Sequence, residues 1–102
     1  MEGSAAQRVY SLLQAIPRGQ VTTYGDLSKA ARVHSAQAVG QILHRNPDPV
    51  NVPCYKVVFA DGRLSSGYGA GGLEGQRKRL EADGVIVQGN SVNLQHTRYA
   101  FA

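Results

Sequence analysis

The chain has a single cysteine, Cys54, and no second thiol to pair with it. An intramolecular disulfide and a multi-cysteine metal cluster are therefore excluded, and a reducing, cytoplasmic compartment is expected. The histidines His34, His44 and His96 lack metal-ligand spacing with Cys54, so neither a metal nor a cofactor is expected. No apolar run approaches the roughly 20 residues that a membrane span requires. A charged-then-apolar signal segment is also missing, and no membrane partner is expected. There is no internal repeat and no linker. At 102 residues the chain is expected to form one domain, residues 1–102, with one modest core. Its 42% hydrophobic and 18% charged content is that of an ordinary globular protein. The net charge of +4 favours an anionic partner such as nucleic acid, although many small basic proteins bind none.

The ordered elements begin with Ala5 to Ile16. There Val9, Leu12, Leu13 and Ile16 recur with helical period, and Pro17-Arg18-Gly19 ends the run. Val21-Thr22 is β-prone. Thr22 or Thr23 can cap a second helix over Tyr24 to Ala31, with Asp26 in its first turn. After the tight connection Arg32-Val33-His34, Ser35 caps a third helix running to about Arg45. Ala36, Val39 and Leu43 share one face of it, while Gln37, Gln41 and His44 line another. Two short helices joined by about three residues suggest a helix-turn-helix, its glutamines suited to base edges and Arg32 and Arg45 to phosphates. An ordinary surface helix fits the same pattern. Gly40, in mid-helix, costs about 1 kcal/mol against alanine, which implies close approach by a backbone or a ligand.

Asn46-Pro47-Asp48-Pro49-Val50-Asn51-Val52-Pro53 then forms a stiff, extended lead-in to Cys54. A thiol presented in this way is a candidate nucleophile; the charge of Lys56 two residues on could lower its pKa, as could a helix N-terminus if one begins at Cys54. Lys56 to Phe59 reads as a strand and Ala60-Asp61-Gly62-Arg63 as a hairpin turn, the makings of a wing. Ser65 to Gly72 carries four glycines around Tyr68 and Ala70, without the lysine of a phosphate-binding loop. Leu73 to Asp83 is a last helix stopped by Gly84, with the basic cluster Arg77-Lys78-Arg79 mostly on a solvated face. Val85-Ile86-Val87 and Val92-Asn93-Leu94 read as strands about a Gln88-Gly89-Asn90 turn. The fold class is mainly α with short strands, in a winged helix-turn-helix arrangement.

Several of these segments together resemble one family. Pro53-Cys54-Tyr55-Lys56-Val57-Val58 resembles the Pro-Cys-His-Arg-Val motif of the O6-alkylguanine-DNA alkyltransferases, the methylated-DNA–protein-cysteine methyltransferases. Val21-Thr22-Thr23-Tyr24-Gly25 resembles their Val-Thr-Ser/Thr-Tyr-Gly segment, and Gln37-Ala38-Val39-Gly40 followed by Asn46-Pro47 resembles their Arg-Ala-Val-Gly and Asn-Pro pair. Gly67-Tyr68 and Leu80-Glu81-Ala82-Asp83-Gly84 match the downstream pattern, so the likeness runs from about Val9 to Val87.

The resemblance implies the alkyltransferase C-terminal domain, acting as a monomer on double-stranded DNA that contains O6-alkylguanine. Gln37, Ala38, Gly40, Gln41 and Arg45 would meet the minor groove. Tyr24 would press on the phosphate 3′ of the lesion and help rotate the base outward. Asn46 would be the hinge between recognition helix and active-site loop. Cys54 would accept the alkyl group, in a pocket walled by Tyr24, Val52, Pro53, Tyr68, Gly69, Ala70 and Gly71.

Three positions depart from the family pattern. Tyr55 stands where the family has the histidine that deprotonates the thiol through water, and Asp83 where it has the glutamate that orients that histidine. Gln37 replaces an arginine finger. A free thiol of pKa near 8.5 is only a few per cent thiolate at neutral pH, and a tyrosine near 10 is a poor base. Slow alkyl transfer is therefore the expectation, with Cys54, Tyr55, Asp83 and Asn46 as the catalytic set.

The family's second branch, the alkyltransferase-like proteins, binds O6-alkylguanine but lacks the acceptor cysteine. Its basic last helix and aromatic C-terminus resemble Gln76-Arg77-Lys78-Arg79-Leu80 and Tyr99 to Phe101. Lesion binding that flags the site for another repair pathway is the alternative function, and plain winged-helix regulation a third.

Overall fold

The structure is a computed structural model that describes residues 3–48, 51–65 and 71–101. Pro49, Val50, Tyr68, Gly69 and Ala70, named above in the lead-in and pocket, lie outside the described residues.

Helix α1, Ala5–Gln14, starts at a capping box in which Ser4 and Gln7 satisfy each other's backbone N–H groups. It stops two residues short of the predicted end at Ile16. Strand β1 is Thr22–Thr23. Thr23 is the cap of α2, Tyr24–Ala31, accepting from the Asp26 N–H. Arg32 then turns the chain with a left-handed backbone (φ 59°), and Ser35 caps α3, Ala36–His44. The two helices pack as the expected helix-turn-helix.

The Cys54 segment departs from the extended reading. The approach to Pro53 already folds back, the Val52 N–H donating to the Asp48 carbonyl at 2.9 Å, and Cys54–Lys56 closes a single 3₁₀ turn through the Lys56 N–H to the Pro53 carbonyl at 3.0 Å. The strand expected from Lys56 to Phe59 shrinks to β2, Val57–Val58. Across the Asp61-Gly62 turn a single rung closes, the Phe59 N–H donating to the Arg63 carbonyl at 2.9 Å, while β2 has its ladder elsewhere. It pairs in parallel with β1, Thr22 opposite Val57 and Thr23 opposite Val58. The turn itself forms, with the Gly62 N–H bonded to the Phe59 carbonyl at 2.9 Å, but its outgoing arm meets the C-terminal hairpin at Arg63 and Ser91.

Helix α4 is Gly72–Ala82. It is followed by β3, Val87–Gln88, and β4, Ser91–Val92, an antiparallel hairpin. The second predicted strand ends early because Asn93 caps a one-turn helix, α5, Leu94–Thr97, which the sequence reading missed.

Two hydrophobic clusters result. Val9, Leu13, Leu27, Val39, Leu43, Val52 and Val57 fill the first, between α1, α2 and α3. Val21, Val58, Leu64, Leu80, Val85 and Val92 fill the second, beneath α4 and the hairpin. Val57 and Val58 are both fully buried, one in each cluster. Burial of apolar surface at about 25 cal/mol per Å² fixes the reactive segment from both sides.

Candidate functional site

A cleft of about 780 Å³ opens between α3 and the segment after Cys54. Its walls include Tyr24, Gln37, Gly40, Gln41, His44, Arg45, Cys54, Phe59, Ser65 and Gln76. Five residues assigned to DNA, Tyr24, Gln37, Gly40, Gln41 and Arg45, thus share one cavity with the thiol. Ala38 is absent from the cavity wall, and its N–H is occupied by the Ser35 cap. A Cβ on Gly40 would come no nearer than 3.9 Å, to Tyr24 Cε1. The fold therefore has room for alanine at this position, and the close approach that glycine permits is available to a ligand.

Cys54 is half-buried against the helical cluster. The loop before it is held by Asn46, whose Nδ2 donates to the Val52 carbonyl at 3.0 Å and whose Oδ1 accepts from the Asp48 N–H at 2.9 Å. Val52 itself is buried in the core and does not line the cleft, nor does Pro53. Gly71, the N-cap of α4 at φ 99°, is likewise outside the cleft wall. A Cβ there would meet Gly75 Cα at 3.2 Å, so its glycine serves the helix start.

Tyr24 follows β1 directly and leans on Phe59, ring centroids 5.7 Å apart. Burial pushes its hydroxyl pKa up, the hydrogen bond with Ser65 opposes this, and the nearby Cys54 adds to the rise. It is a neutral phenol at physiological pH.

Tyr55 and Asp83 do come together, the Tyr55 hydroxyl donating to Asp83 Oδ1 at 3.4 Å. Yet Cys54 and Tyr55 pack on different clusters, Tyr55 against the one under α4. Asp83 is also engaged elsewhere. Its Oδ2 accepts from Lys56 Nζ at 2.6 Å and from the Gly19 N–H at 3.0 Å. Burial alone would raise the Asp83 pKa, but the Lys56 and Gly19 hydrogen bonds, the Lys56 charge and the Tyr55 hydroxyl outweigh it and hold the carboxyl below its ordinary value. Lys56 is itself buried and donates further to the carbonyls of Pro17 and Gln20, at 2.9 and 3.2 Å. Its charge is thus paired with Asp83, which corrects the expectation that it serves the thiol.

The sequence reading missed Phe59, Ser65 and Gln76 as cleft residues. Gln76 had a signal: with Leu73 and Leu80 it falls on the inward face of α4, where a polar side chain must find partners. Among the described residues, no three His, Cys, Asp or Glu side chains gather to hold a metal ion, and no helix is long and apolar enough to cross a membrane.

Residues 4–85 match the model of the 6-O-methylguanine DNA methyltransferase, DNA binding domain. A bifunctional methyltransferase/endonuclease of Picrophilus torridus is 45% identical over 92 residues, 89% of this chain but 30% of that protein. The DNA base-flipping protein of Escherichia coli is 39% identical over 102 residues, covering 98% of this chain and 78% of the relative. The crystal structure of S. pombe Atl1 with damaged DNA containing O6-carboxymethylguanine superposes with a TM-score of 0.85 at 26% identity, over 98% of this chain and 99% of that one. The chain therefore spans under a third of the first of these relatives and most of the other two. On the family match over residues 4–85, this protein belongs to the 6-O-methylguanine DNA methyltransferase DNA-binding-domain family.

Proposed function

We propose that this protein repairs DNA by accepting the alkyl group of O6-alkylguanine on Cys54, once per molecule. The observation that carries the reading is the shared cleft, which places the only thiol of the chain beside Tyr24 and the polar face of α3. The recognition helix enters the minor groove with Gln37, Gly40, Gln41 and Arg45. Tyr24 helps turn the damaged base out of the stack, because the O6 substituent is out of reach inside a duplex. The Cys54 thiolate then attacks the alkyl carbon in line. A carbon–sulfur bond forms, the carbon–O6 bond breaks with its electron pair going to O6, and the proton lost by the thiol ends on the restored guanine. The thioether is stable, so no turnover follows. The protein acts as a monomer and needs no cofactor.

Tyr55 and Asp83 occupy the positions of the proton-removing pair. Since Asp83 is already neutralised by Lys56, and a phenol is a weak base at neutral pH, deprotonation of the thiol is the slow step.

The second reading is a lesion-binding protein that marks O6-alkylguanine for another pathway. It is favoured by the Asp83–Lys56 pairing and by the end-to-end likeness to Atl1. Intact mass after incubation with an O6-methylguanine oligonucleotide separates the two. A gain of one methylene, lost in Cys54→Ser, supports transfer. Tight lesion binding without that gain supports the marker, and no preference for the lesion overturns both.

A further inference from the structure

We infer that Gln76 is a positioning residue for the Cys54 turn. Gln76 is 1% exposed, yet it reaches the wall of the cleft that holds the thiol. Both N–H donors of its amide and its oxygen are engaged by backbone atoms around the Cys54 turn and Ser65. Nε2 donates to the Tyr55 carbonyl and to the Val57 carbonyl, each at 2.9 Å, and Oε1 accepts from the Ser65 N–H at 2.7 Å. The two carbonyls flank the end of the 3₁₀ turn that begins at Cys54, and Ser65 is the residue whose side chain bonds the Tyr24 hydroxyl. One side chain on α4 thus sets the turn carrying the thiol and the Ser65 backbone beside Tyr24 at a fixed separation.

The energetics favour this role over that of a filler. A buried amide with no partner costs about 1–3 kcal/mol, so a glutamine on an inward helical position is retained only with its partners in place. All three hydrogen bonds run to backbone atoms. They fix main-chain geometry without contacting a substrate, so Gln76 acts through Cys54. A displacement of about 1 Å in a reacting group can cost on the order of a hundredfold in rate, and such a displacement is what loss of the two donations permits.

This inference rests on the alkyl-acceptor reading for its rate measurement, and a second measurement frees it from that dependence. Three variants separate the bonds. Gln76→Lys keeps donors for the two carbonyls and loses the acceptor for Ser65. Gln76→Glu keeps the acceptor and turns an oxygen toward the carbonyls. Gln76→Leu removes all three bonds.

At saturating O6-methylguanine oligonucleotide, Gln76→Glu and Gln76→Leu are expected to lower the single-turnover rate constant by about tenfold or more. Gln76→Lys should stay within about threefold of the parent, and lesion affinity should change far less than rate in all three. If the unmodified protein transfers nothing, the alkyl-acceptor reading fails. The inference is then decided by iodoacetamide labelling of Cys54, the sole thiol. Labelling should be several-fold faster in Gln76→Glu than in Gln76→Lys, because the loosened turn exposes the sulfur. Equal rates in the lysine and glutamate variants, or losses in both that follow thermal stability alone, overturn it. Lysine and glutamate each bury a charge here, so both are measured at a temperature where circular dichroism shows them folded; should Gln76→Leu not fold, their contrast still decides.

Discussion

Asn46 and Cys54 meet at a single carbonyl. The Val52 oxygen accepts from Asn46 Nδ2 at 3.0 Å and from the Cys54 N–H at 2.8 Å, so the residue just beyond the Arg45 cap of α3 is one atom removed from the backbone of the thiol. A hinge at Asn46, as proposed, would couple α3 to the Cys54 turn through that oxygen. Asn46→Ala removes this bond and the one to the Asp48 N–H, at a cost of about 1–2 kcal/mol. The rate of alkyl transfer is expected to fall by about tenfold or more, well beyond any loss of lesion affinity. Single-turnover kinetics beside anisotropy measurements of binding provide the check. Equal losses in the two would count against a hinge.

Gly40→Ala tests why a helix keeps a glycine where its own fold leaves room for a methyl group. The free protein should gain up to about 1 kcal/mol in unfolding experiments, since alanine is the better helix former. Affinity for duplex DNA should drop, with or without the lesion. A variant that is more stable and binds DNA as tightly as before would refute close approach at this position.

The Lys56–Asp83 pair should contribute to the acid limb of stability. The Asp83 carboxyl sits below its ordinary value of 3.8, so its contribution is complete above that pH and is lost as pH falls through the lowered value. Asp83→Asn strands a lysine that is 3% exposed, and should destabilise by about 3–5 kcal/mol at neutral pH. Urea unfolding between about pH 3 and pH 7 should then show a flatter acid limb than the parent. An unchanged pH profile would mean that the pair is not coupled to folding.

Tyr55→His places a base with pKa near 6.5 at the position after the thiol. Alkyl transfer at neutral pH should quicken by at least about tenfold, measured by intact mass over time. No increase would mean that proton removal does not limit the reaction.

Much of the helical half was legible because its signals are local. Thr23 and Ser35 cap the helices that their residue types predict, and α2 has the bounds read from its pattern. Asn46, Cys54 and the polar face of α3 were placed together by motif and spacing. What escaped depends on partners far along the chain. The parallel pairing of Val57-Val58 with Thr22-Thr23 spans 35 residues of separation in register, and nothing in a β-branched pair reveals its partner. Lys56 lies two residues from the thiol in sequence, but its hydrogen bonds go to Pro17, Gln20 and Asp83. The one-turn α5 is too short for a helical period to register, and only Asn93 as its cap was readable in principle.

The division of Val57 and Val58 between two hydrophobic clusters gives the thiol a mechanical setting. One cluster belongs to the helices that would grip DNA, the other to α4 and the hairpin. The reactive turn runs along the seam between them, with Cys54 facing the first and Tyr55 the second. Any shift of one cluster against the other would therefore be felt as shear at the turn that carries Cys54.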